Sequence, residues 1–572
     1  MYLRTLKLSV AAMIISATSL HAETLPYGGR PDAGSILREQ QPQRQLLPDR
    51  LPKPEKEQAI VPADEKADRV EVKGFAFKGN DGVITEPELT ALVAGSIGKK
   101  LSFGDLQALT EKITARLKDK GWFLSRAYLP KQDITSGIIL IQIEQGRSDG
   151  SIQFHRDNSA RVRMSVLRSF GEQSVTPGQA LNEQKLERSV LLMNDLPGVN
   201  AKASLVSGSS PGTSRVDIAV NEGPLVSGTL FGDNQGNRYT GMWRANIKVF
   251  VDDPAGYGDR LTLTGTESSG MKQGAIAYGF PLFYDGLRGN VSYSSMRYNL
   301  GRELADFEFG GNSHNIEAGL SYPILRGRNG SIRTSCNYGY RELEDTMHGV
   351  TYSDKQARYL SLGLTGDRYD TLLGSGYIAW SAGLTSGNLD YPVYLFSAPV
   401  SGKYTRFNFS MSRLQRLTEK ATLNVSWTAQ LAAQNLDSSE KISLGGPYGV
   451  RAYPIGEAQG DQAQMINVEM RYSLPVGQLH GALQLSGFFD AGQVQLQKDR
   501  TAVDNGTASN RNVYWLQGAG VGLIYDFSGR FSLRTSWAHV IGNNPGRHAI
   551  TGVDSDGQRD QSHFWLQALM YF

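Results

Sequence analysis

Two patterns of apolar and polar positions divide the chain, and the change from one to the other falls near residue 222. Before it, stretches in which apolar residues recur with a helical period alternate with short β-branched runs. After it the helical period vanishes, and apolar residues alternate with polar ones through residues 223–572. Since successive side chains of a strand point to opposite faces, this region is predicted to be a long series of strands, each with one apolar and one polar face.

The alternation is clear in several segments of the C-terminal region. One face of residues 421–431 is apolar, with Val425 and Trp427 at its centre, whereas the other is polar and includes Asn424. The last residues alternate in the same way and end on the aromatic Phe572. In a soluble sandwich the apolar face would pack on a second sheet, whereas in a barrel that spans lipid it meets hydrocarbon and the polar face lines a wet interior.

Three features favour the barrel over the sandwich. No helical break interrupts residues 223–572, which leaves roughly 22 residues for each of about 16 strands and its connection. Short turns, such as that at Asp285 and Gly286, alternate with long polar loops such as 435–461. A bilayer offers no hydrogen-bond partner to an open sheet edge, so the sheet must close. We therefore predict a transmembrane antiparallel β-barrel of about 16 strands.

The region before the barrel is predicted to hold two α/β units of the same architecture. In the first, residues 69–145, a strand over 70–77 is followed by helices over 86–95 and 103–120 and then by two more strands. The second unit, residues 146–222, repeats the order βααββ. The repeat is one of architecture and not obviously of sequence.

The N-terminal region is predicted to be a signal peptide followed by a linker with one short helix. Residues 1–22 combine a positively charged start, an apolar centre and a small final residue, Ala22. Residues 23–68 are rich in proline, glutamine and charged residues, which is typical of a linker. Within them, about 32–41 offers an N-cap at Asp32, a helical run and a stop at the following proline. A helix this short is marginal in water, so it must dock on another part of the protein or be disordered.

Composition and charge exclude several classes of protein. The 572-residue chain has one cysteine, Cys336, which excludes a disulfide scaffold, a Cys-ligated zinc site and an iron–sulfur cluster. Its formal net charge of +3 gives no whole-chain signal for nucleic acid. Beyond the N-terminus no stretch of about 18 uncharged apolar residues could form a transmembrane helix. The eight histidines are scattered and no nucleophile, zincin or nucleotide-binding motif occurs, so the sequence predicts no enzyme activity, no catalytic or metal-binding residues and no cofactor.

Two places in the alternating region carry the candidate functional residues. The first is the tip of the long glycine-rich loop, formed by Val450, Arg451, Ala452 and Tyr453. The second is a strand motif in the barrel wall, formed by Phe488, Asp490 and Gly492. If the loop folds inward, Arg451 and Asp490 can form a charge-assisted bond. Spacing alone leaves open the alternative of a solvated loop arginine and an unrelated aspartate at a strand end.

With these motifs the chain resembles the TpsB transporters of two-partner secretion, also described as haemolysin secretion/activation proteins. Residues 450–453 are similar to the family's Val-Arg-Gly-Tyr loop tip, and residues 488–492 to its Phe-x-Asp-x-Gly strand motif. Residues 186–198 resemble the end of a helix in the family's second POTRA domain, and residues 233–236 its first barrel strands. Ala452 departs from the family glycine, which bears on the backbone turn of the tip.

The resemblance implies a fold and a role for each segment. The helix at about 32–41 would be a plug in the pore, residues 69–145 and 146–222 would be POTRA domains 1 and 2 in the periplasm, and residues 223–572 would be the outer-membrane barrel. The implied function is that of a translocation pore of a Gram-negative bacterium. Through its POTRA domains it would recognise a large exoprotein of the TpsA type and secrete it unfolded to the cell surface.

Other partners follow from the same resemblance. It implies contact with outer-membrane lipid, and with the barrel-assembly machinery for which Phe572 would be the C-terminal assembly signal; it implies no nucleic acid. Three other functions stay open. An assembly insertase of the same superfamily usually carries more POTRA units and lacks the plug helix. A diffusion porin would lack the α/β units, and an outer-membrane enzyme would need a site that the sequence does not reveal.

Overall fold

The computed structural model describes residues 30–40, 69–172, 174–210, 212–395, 400–475, 481–500, 505–527 and 529–572. The predicted signal peptide, residues 1–22, and most of the linker lie outside these residues. The described residues form a short helix, two α/β units and a closed β-barrel. Among them, no helix is long and apolar enough to cross a membrane.

The first α/β unit packs its helices against a three-stranded sheet. Ile113 and Leu117, one helical turn apart, are fully buried in its core. The single strand expected over residues 70–77 is instead two short strands, which belong to different sheets. They are separated at Val72 and Lys73, whose amides donate to carbonyls in loops rather than in a neighbouring strand. The helices are numbered from α1 (Ala33–Glu39), which precedes this unit in the chain. The elements of the unit are β1 (Arg69–Glu71), β2 (Gly74–Lys78), α2 (Glu86–Val93), β3 (Lys100–Ser102), α3 (Phe103–Asp119), β4 (Arg126–Tyr128) and β5 (Ile138–Glu144).

The second α/β unit has the predicted order of strand, two helices and two strands. Its elements are β6 (Arg147–Arg156), α4 (Met164–Glu172), α5 (Glu183–Asn194), β7 (Val199–Ser207) and β8 (Thr213–Glu222). The strands form a sheet in the order β6-β8-β7, with β6 and β8 parallel. Asn182 caps α5 by accepting the amide of Lys185, and the buried residues of α4 and α5, including Leu167 and Met193, cover one face of the sheet.

Sixteen antiparallel strands close into the barrel, which confirms the predicted fold class. They are β9 (Val226–Asp233), β10 (Arg244–Asp252), β11 (Arg260–Glu267), β12 (Met271–Pro281), β13 (Arg288–Asn299), β14 (Gly310–Gly327), β15 (Gly330–Met347), β16 (Val350–Asp370), β17 (Gly376–Tyr394), β18 (Gly402–Arg416), β19 (Ala421–Ala432), β20 (Gln462–Leu474), β21 (Ala482–Gln495), β22 (Val513–Phe527), β23 (Phe531–Val540) and β24 (Ser562–Tyr571). Each strand pairs with its neighbours in sequence, and β24 returns to β9.

The two faces of the barrel wall differ as the alternation predicts. On β19, Trp427 and Leu431 are 40% and 56% exposed, whereas Asn424 and Gln430 are 2% and 0% exposed. On this strand the large exposed side chains therefore point outward and are apolar, and the polar ones point inward and are covered. This is the arrangement of a barrel whose outer surface meets lipid.

The barrel closes along a short seam. Strands β24 and β9 share five residue pairs, from Gln567–Asp233 to Tyr571–Thr229. Phe572 and Gly228 then exchange two backbone hydrogen bonds, of 2.9 and 3.0 Å. The closure follows from the chemistry of lipid, which leaves no partner for the backbone of an open edge.

The two ends of the barrel are distinguished by what is attached to them. The chain enters β9 directly from β8, so the second α/β unit lies at the end where β9 begins, which we call the near end. There Asp195 binds Arg326 at 2.8 Å, and Arg188 donates to the carbonyl of Pro323 at 2.9 Å. The opposite, far end carries the long connections, including the loop between β19 and β20.

The N-terminal helix α1 (Ala33–Glu39) lies inside the far-end half of the barrel. Asp32 accepts the amide of Ser35 at 2.8 Å, and Ser35 accepts the amide of Asp32 at 2.9 Å, which closes a capping box. Ala33 donates its amide to Asp345 near the far end of β15, at 2.8 Å. Seven residues of helix are only about 10 Å long, so α1 fills one level of the interior and does not run its full length.

Candidate functional site: the filled interior of the barrel

The loop of residues 433–461, here called the inward loop, folds back into the barrel. Its tip turns tightly, since the amide of Val450 donates to the carbonyl of Leu444 at 2.7 Å. Gly449 is required at this turn because a Cβ there would lie 1.9 Å from the Leu444 oxygen. Val450, Ala452 and Tyr453 are each at most 1% exposed, so the apolar side chains of the tip are packed and not solvated.

Arg451 at the tip reaches the barrel wall at Asp490. Its Nε and Nη2 donate to the two carboxylate oxygens of Asp490 at 2.8 and 2.9 Å, and its backbone amide donates to the same group at 3.1 Å. The guanidinium also stacks on the ring of Phe488, with Cζ 3.3 Å from the ring centroid. The structure thus brings together the loop arginine and the wall aspartate in the bidentate geometry that makes such pairs strong.

Sequence reasoning missed the other half of this network. Arg451 Nη1 donates to Glu469 at 2.6 Å, and Arg471 donates to the other oxygen of Glu469, also at 2.6 Å. Asn467 links the wall to the loop, because its amide donates to Asp490 and to the carbonyl of Gly449, both at 2.8 Å. These residues alternate with the apolar outward positions of β20, so the sequence indicates their face but not their level in the barrel.

Two glycine positions of the wall make room for the tip. A Cβ on Gly492 would lie 2.9 Å from the side chain of Leu444 in the inward loop, and a Cβ on Gly518 would lie 2.4 Å from that of Ala452. Leu444 therefore occupies the space beside Gly492. Ala452 has no positive φ, so alanine at this position is compatible with the backbone of the tip.

The C-terminal strand also contacts the tip. Trp565 donates from its indole to the carbonyl of Arg451 at 2.8 Å, and His563 lies 2.9 Å from the carbonyl of Ala452. Phe572 lies away from these residues, at the seam with Gly228, where its side chain is exposed. The candidate residues thus fall into one interior cluster and one separate position at the near end of the seam.

Helix α1 and the inward loop share one lysine of the wall. Lys355 on β16 is 4% exposed and binds Asp32 at 2.8 Å and Asp437 of the inward loop at 3.1 Å. Ser438 donates to the same oxygen of Asp32 at 2.6 Å. Burial opposes ionisation of Asp32, but Lys355 and Ser438 outweigh it and hold the pKa of Asp32 below its usual range.

The C-terminal end of α1 is also held by polar contacts. Arg38 donates to the carbonyl of Lys441 at 3.1 Å and to Gln430 at 3.3 Å. Glu39 accepts from Asn237 at 3.2 Å, in the first far-end loop. Burial raises the pKa of Glu39 to about 8, although Asn237 favours the charged form. Both ends of the helix are therefore fixed to the wall and the loops, and its apolar side chains pack on the interior between them.

A second attachment holds the base of the inward loop. Glu457 accepts from Asn544 at 2.8 Å and from the amide of Ser555 at 2.6 Å, both in the long loop between β23 and β24. Burial, with the nearby Asp554, raises the pKa of Glu457 to about 7. The inward loop is thus tied at its tip to the wall and at its base to a neighbouring far-end loop.

Two parts of the chain, α1 and the inward loop, fill the interior of the barrel. A sixteen-stranded wall surrounds a helix and a loop, and ion pairs and hydrogen bonds hold both against the inner side of the wall. Together with the two α/β units at one end, this is the architecture of an outer-membrane protein transporter with POTRA domains.

Family comparison gives the particular family. A model described as "Haemolysin secretion/activation protein ShlB/FhaC/HecB" matches residues 212–524, and one described as "POTRA domain, ShlB-type" matches residues 70–146. The chain belongs to this haemolysin secretion/activation family. The family assignment supports a secretion transporter over an assembly insertase.

Relatives and solved structures agree with this assignment. The chain is 27% identical over 581 residues to the heme/hemopexin transporter protein HuxB of Haemophilus influenzae, which covers 99% of both chains. It is 23% identical over 437 residues to the outer membrane transporter CdiB of Dickeya dadantii, covering 73% of this chain and 76% of the relative. The structure of CdiB from Escherichia coli matches the fold with a TM-score of 0.72 at 20% identity, over 90% of this chain and 93% of that one.

As a member of this family, the protein is an outer-membrane translocation pore that secretes a partner exoprotein. The POTRA domains lie in the periplasm, so the near end of the barrel is periplasmic and the far end is extracellular.

Proposed function

We propose that the exoprotein passes through the barrel interior after α1 has left it, while Arg451 keeps the tip of the inward loop on the wall. The observation that carries the proposal is the position of Lys355 between Asp32 of the plug and Asp437 of the loop, at 2.8 and 3.1 Å. Helix and loop share this residue but are connected to the rest of the chain differently. The loop continues at both ends into the wall strands β19 and β20, whereas the linker of residues 41–68 connects the helix to the first α/β unit.

The shared lysine lowers the cost of releasing the plug. Removing one partner of a buried ion pair costs about 3–5 kcal/mol when the other charge is left uncompensated. When Asp32 leaves, however, Lys355 keeps Asp437, and Asp345, which loses the amide of Ala33, keeps the hydroxyl of Tyr298 at 2.7 Å. The wall that the plug leaves behind therefore stays paired.

Recognition in this proposal takes place at the sheet edges of the POTRA domains. An unfolded exoprotein offers main-chain groups of any sequence, and pairing to an edge strand uses those groups alone. In the first POTRA domain the edge strands are β2 and β4, and in the second they are β6 and β7. Folding of the exoprotein outside the cell would make its return unfavourable and so give transport its direction.

The remaining assignments are part of the same proposal. Residues 1–22 would be removed as a signal peptide, and the domains would run over 23–68, 69–145, 146–222 and 223–572. Phe572 would act as the signal read by the barrel-assembly machinery, and outer-membrane lipid would cover the outer wall. Full-length similarity to a transporter named for heme and hemopexin makes an exoprotein that serves haem acquisition the first passenger to test.

Two variants test whether α1 blocks the passage. Deletion of residues 32–41 is expected to raise single-channel conductance in planar bilayers. Gly34→Val should act in the same direction, since a Cβ at Gly34 would lie 2.7 Å from Ser438 Oγ and 2.8 Å from the amide nitrogen of Ser439.

A matched glycine of the wall provides the control. A Cβ on Gly487, on the outward face of β21, meets nothing within 4 Å, so Gly487→Val should leave conductance unchanged. Wild-type conductance in both the deletion and Gly34→Val would remove the plug from the proposed mechanism.

A further inference from the structure

A groove of about 490 Å³ runs along the outer wall at the extracellular ends of β18–β22. Its sides are aromatic and aliphatic side chains that point outward, and its floor is polar. The lining residues include Phe407, Phe409, Trp427, Leu431, Gln464 and Gln493. The groove lies outside the passage, so it has no part in the proposed movement of the plug.

The floor of the groove is formed by paired glutamines. Gln464 and Gln493 are opposite each other on β20 and β21, and Gln464 Nε2 donates to Gln493 Oε1 at 3.2 Å. One step nearer the strand ends, Gln462 and Gln495 form the next outward-facing pair. They share the face of Ile466, which is 40% exposed, whereas Met465 beside it is 2% exposed and points inward.

Aromatic side chains border this polar floor. Phe409 and Trp427 pack together with ring centroids 5.2 Å apart on one side. On the other side Trp515, 47% exposed, is directly opposite Gln493 on the neighbouring strand β22. The small Ala429 between Trp427 and Leu431 faces Gln464 across the strand pair and leaves the depression. Tryptophans at this level mark the interface between hydrocarbon and head groups.

Polar amides on a lipid-facing wall need a partner that hydrocarbon does not supply. A buried amide without its hydrogen bonds is costly, and the single bond between Gln464 and Gln493 leaves most of their donors and acceptors unused. The outer leaflet of an outer membrane consists of glycolipid, whose acyl chains are joined to phosphorylated sugars through amides and esters. The loop that follows Gln495 contains three basic residues, Lys498, Arg500 and Arg511, and two aspartates. Because the residues at both ends of this loop line the groove, the loop forms a weakly basic rim above it.

We propose that this groove binds the lipid A portion of lipopolysaccharide. An acyl chain lies between Trp427 and Trp515, its amide or hydroxyl groups bond to Gln464 and Gln493, and a sugar phosphate meets the basic rim formed by Lys498 and Arg511. The site makes the extracellular side of β18–β22 a fixed contact with the outer leaflet.

The double variant Gln464→Leu/Gln493→Leu tests the site in the full-length protein. Lipid A and phosphatidylethanolamine are added separately to delipidated protein in detergent, and bound lipid is counted by native mass spectrometry. Wild type should retain lipid A in preference to phosphatidylethanolamine, and the double variant should retain lipid A about tenfold less, as expected for the loss of two hydrogen bonds.

An outward polar residue on the opposite wall serves as the control. His314 on β14 bonds to the hydroxyl of Tyr293 at 2.9 Å, and His314→Leu should retain lipid A like wild type. Heat-modifiable migration confirms that each variant is folded. Equal retention of the two lipids by wild type, or undiminished lipid A in the folded double variant, would overturn the proposal.

Discussion

At the scale of single residues, Arg451 holds the tip of the inward loop on the barrel wall. Two arginines, Arg451 and Arg471, face two carboxylates, Asp490 and Glu469, so the formal charge of the cluster is zero. Asp490 is 0% exposed and Arg451 is 6% exposed, so removal of one partner leaves the other without water to replace it. Such a loss costs about 3–5 kcal/mol, which is large for one loop but small for a closed barrel.

We therefore expect Arg451→Ala and Asp490→Ala each to reduce export strongly while leaving barrel insertion intact. The double variant should be little worse than either single one, because both remove the same interaction. Export is measured as exoprotein in the medium, and insertion as heat-modifiable barrel in the outer membrane. Lysine at position 451 should restore export only in part, since it cannot make the bidentate contact.

Arg413→Ala is a matched control for these variants. Arg413 makes the same bidentate contact with Asp370, at 2.9 Å for both bonds, but at the periplasmic end and away from the inward loop. Its loss should leave export unchanged. Full secretion by Arg451→Ala and Asp490→Ala at normal surface levels would show that their bond is dispensable.

A second residue-scale feature lies where the second POTRA domain joins the barrel. Asp253, in the periplasmic turn after β10, is 1% exposed; its Oδ1 accepts the amide of Gly258 at 2.6 Å, but no described residue bonds to Oδ2. Burial, together with Glu222 and Asp259, raises the pKa of Asp253 to about 6. Arg161, which donates to the carbonyl of the preceding Asp252 at 3.3 Å, is paired with Glu222 at 2.9 Å.

Because folding raises the pKa of Asp253, the free energy of unfolding depends on pH in a definite direction. Between pH 3.8, the ordinary pKa, and about 6 the folded state holds the proton more tightly than the unfolded state, so the free energy of unfolding falls as pH rises through this window. At pH 8 the charged carboxylate then costs on the order of 1–3 kcal/mol. Arg260 does not relieve this cost, because it is already paired with the neighbouring Asp252 at 2.5 Å.

Asp253→Asn should remove this cost. We expect the variant to unfold at a higher temperature than wild type at pH 8 and the difference to shrink at pH 4, as followed by thermal unfolding in detergent. Asparagine also suits the positive φ of 54° at this position, but that benefit does not depend on pH. If the variant were stabilised by the same amount at both pH values, the negative charge of Asp253 would not be what destabilises the wild-type protein.

At the scale of elements, the sequence predicts the features that neighbouring residues determine, but not the contacts between distant parts of the chain. The start of α1 was predictable because Asp32 and the following residues carry a capping pattern within a few positions. Its docking place was not, since the contacts of Asp32 and Ala33 are to Lys355 and Asp345, more than 300 residues away. Nothing in ten residues of sequence specifies partners at that distance.

The strands show the same division. Alternation predicted which side chains face lipid, as with Trp427 and Asn424, because a strand's period is local. It could not predict that Glu469 lies level with Arg451, since height in a barrel depends on the stagger of every strand between them. The contact between Arg451 and Asp490 could be predicted only because each of the two residues lies in a recognisable sequence motif.

At the scale of the whole molecule, ion pairs hold the second POTRA domain to the barrel. Arg326 and Arg333 of the barrel both face Asp195 of the second domain, at 2.8 and 3.6 Å. The first domain has its own core. It meets the second through Phe123 and Leu124, which pack on the second domain's core, and through a 2.7 Å hydrogen bond from the amide of Glu183 to the carbonyl of Gly121. The first domain is thus placed to receive a chain from the periplasm, and the second to deliver it to the barrel.

Removal of residues 69–145 is therefore expected to stop secretion without preventing barrel assembly. The sixteen strands and the contacts of Asp195 do not involve this segment, so the truncated protein should still migrate as a heat-modifiable barrel. The deletion exposes the surface that Phe123 and Leu124 covered, so limited proteolysis must first show that residues 146–222 remain resistant. If that fold is intact and no exoprotein reaches the medium, the first domain is the one that binds the exoprotein. Continued export would instead show that the exoprotein binds at the edges of β6 and β7.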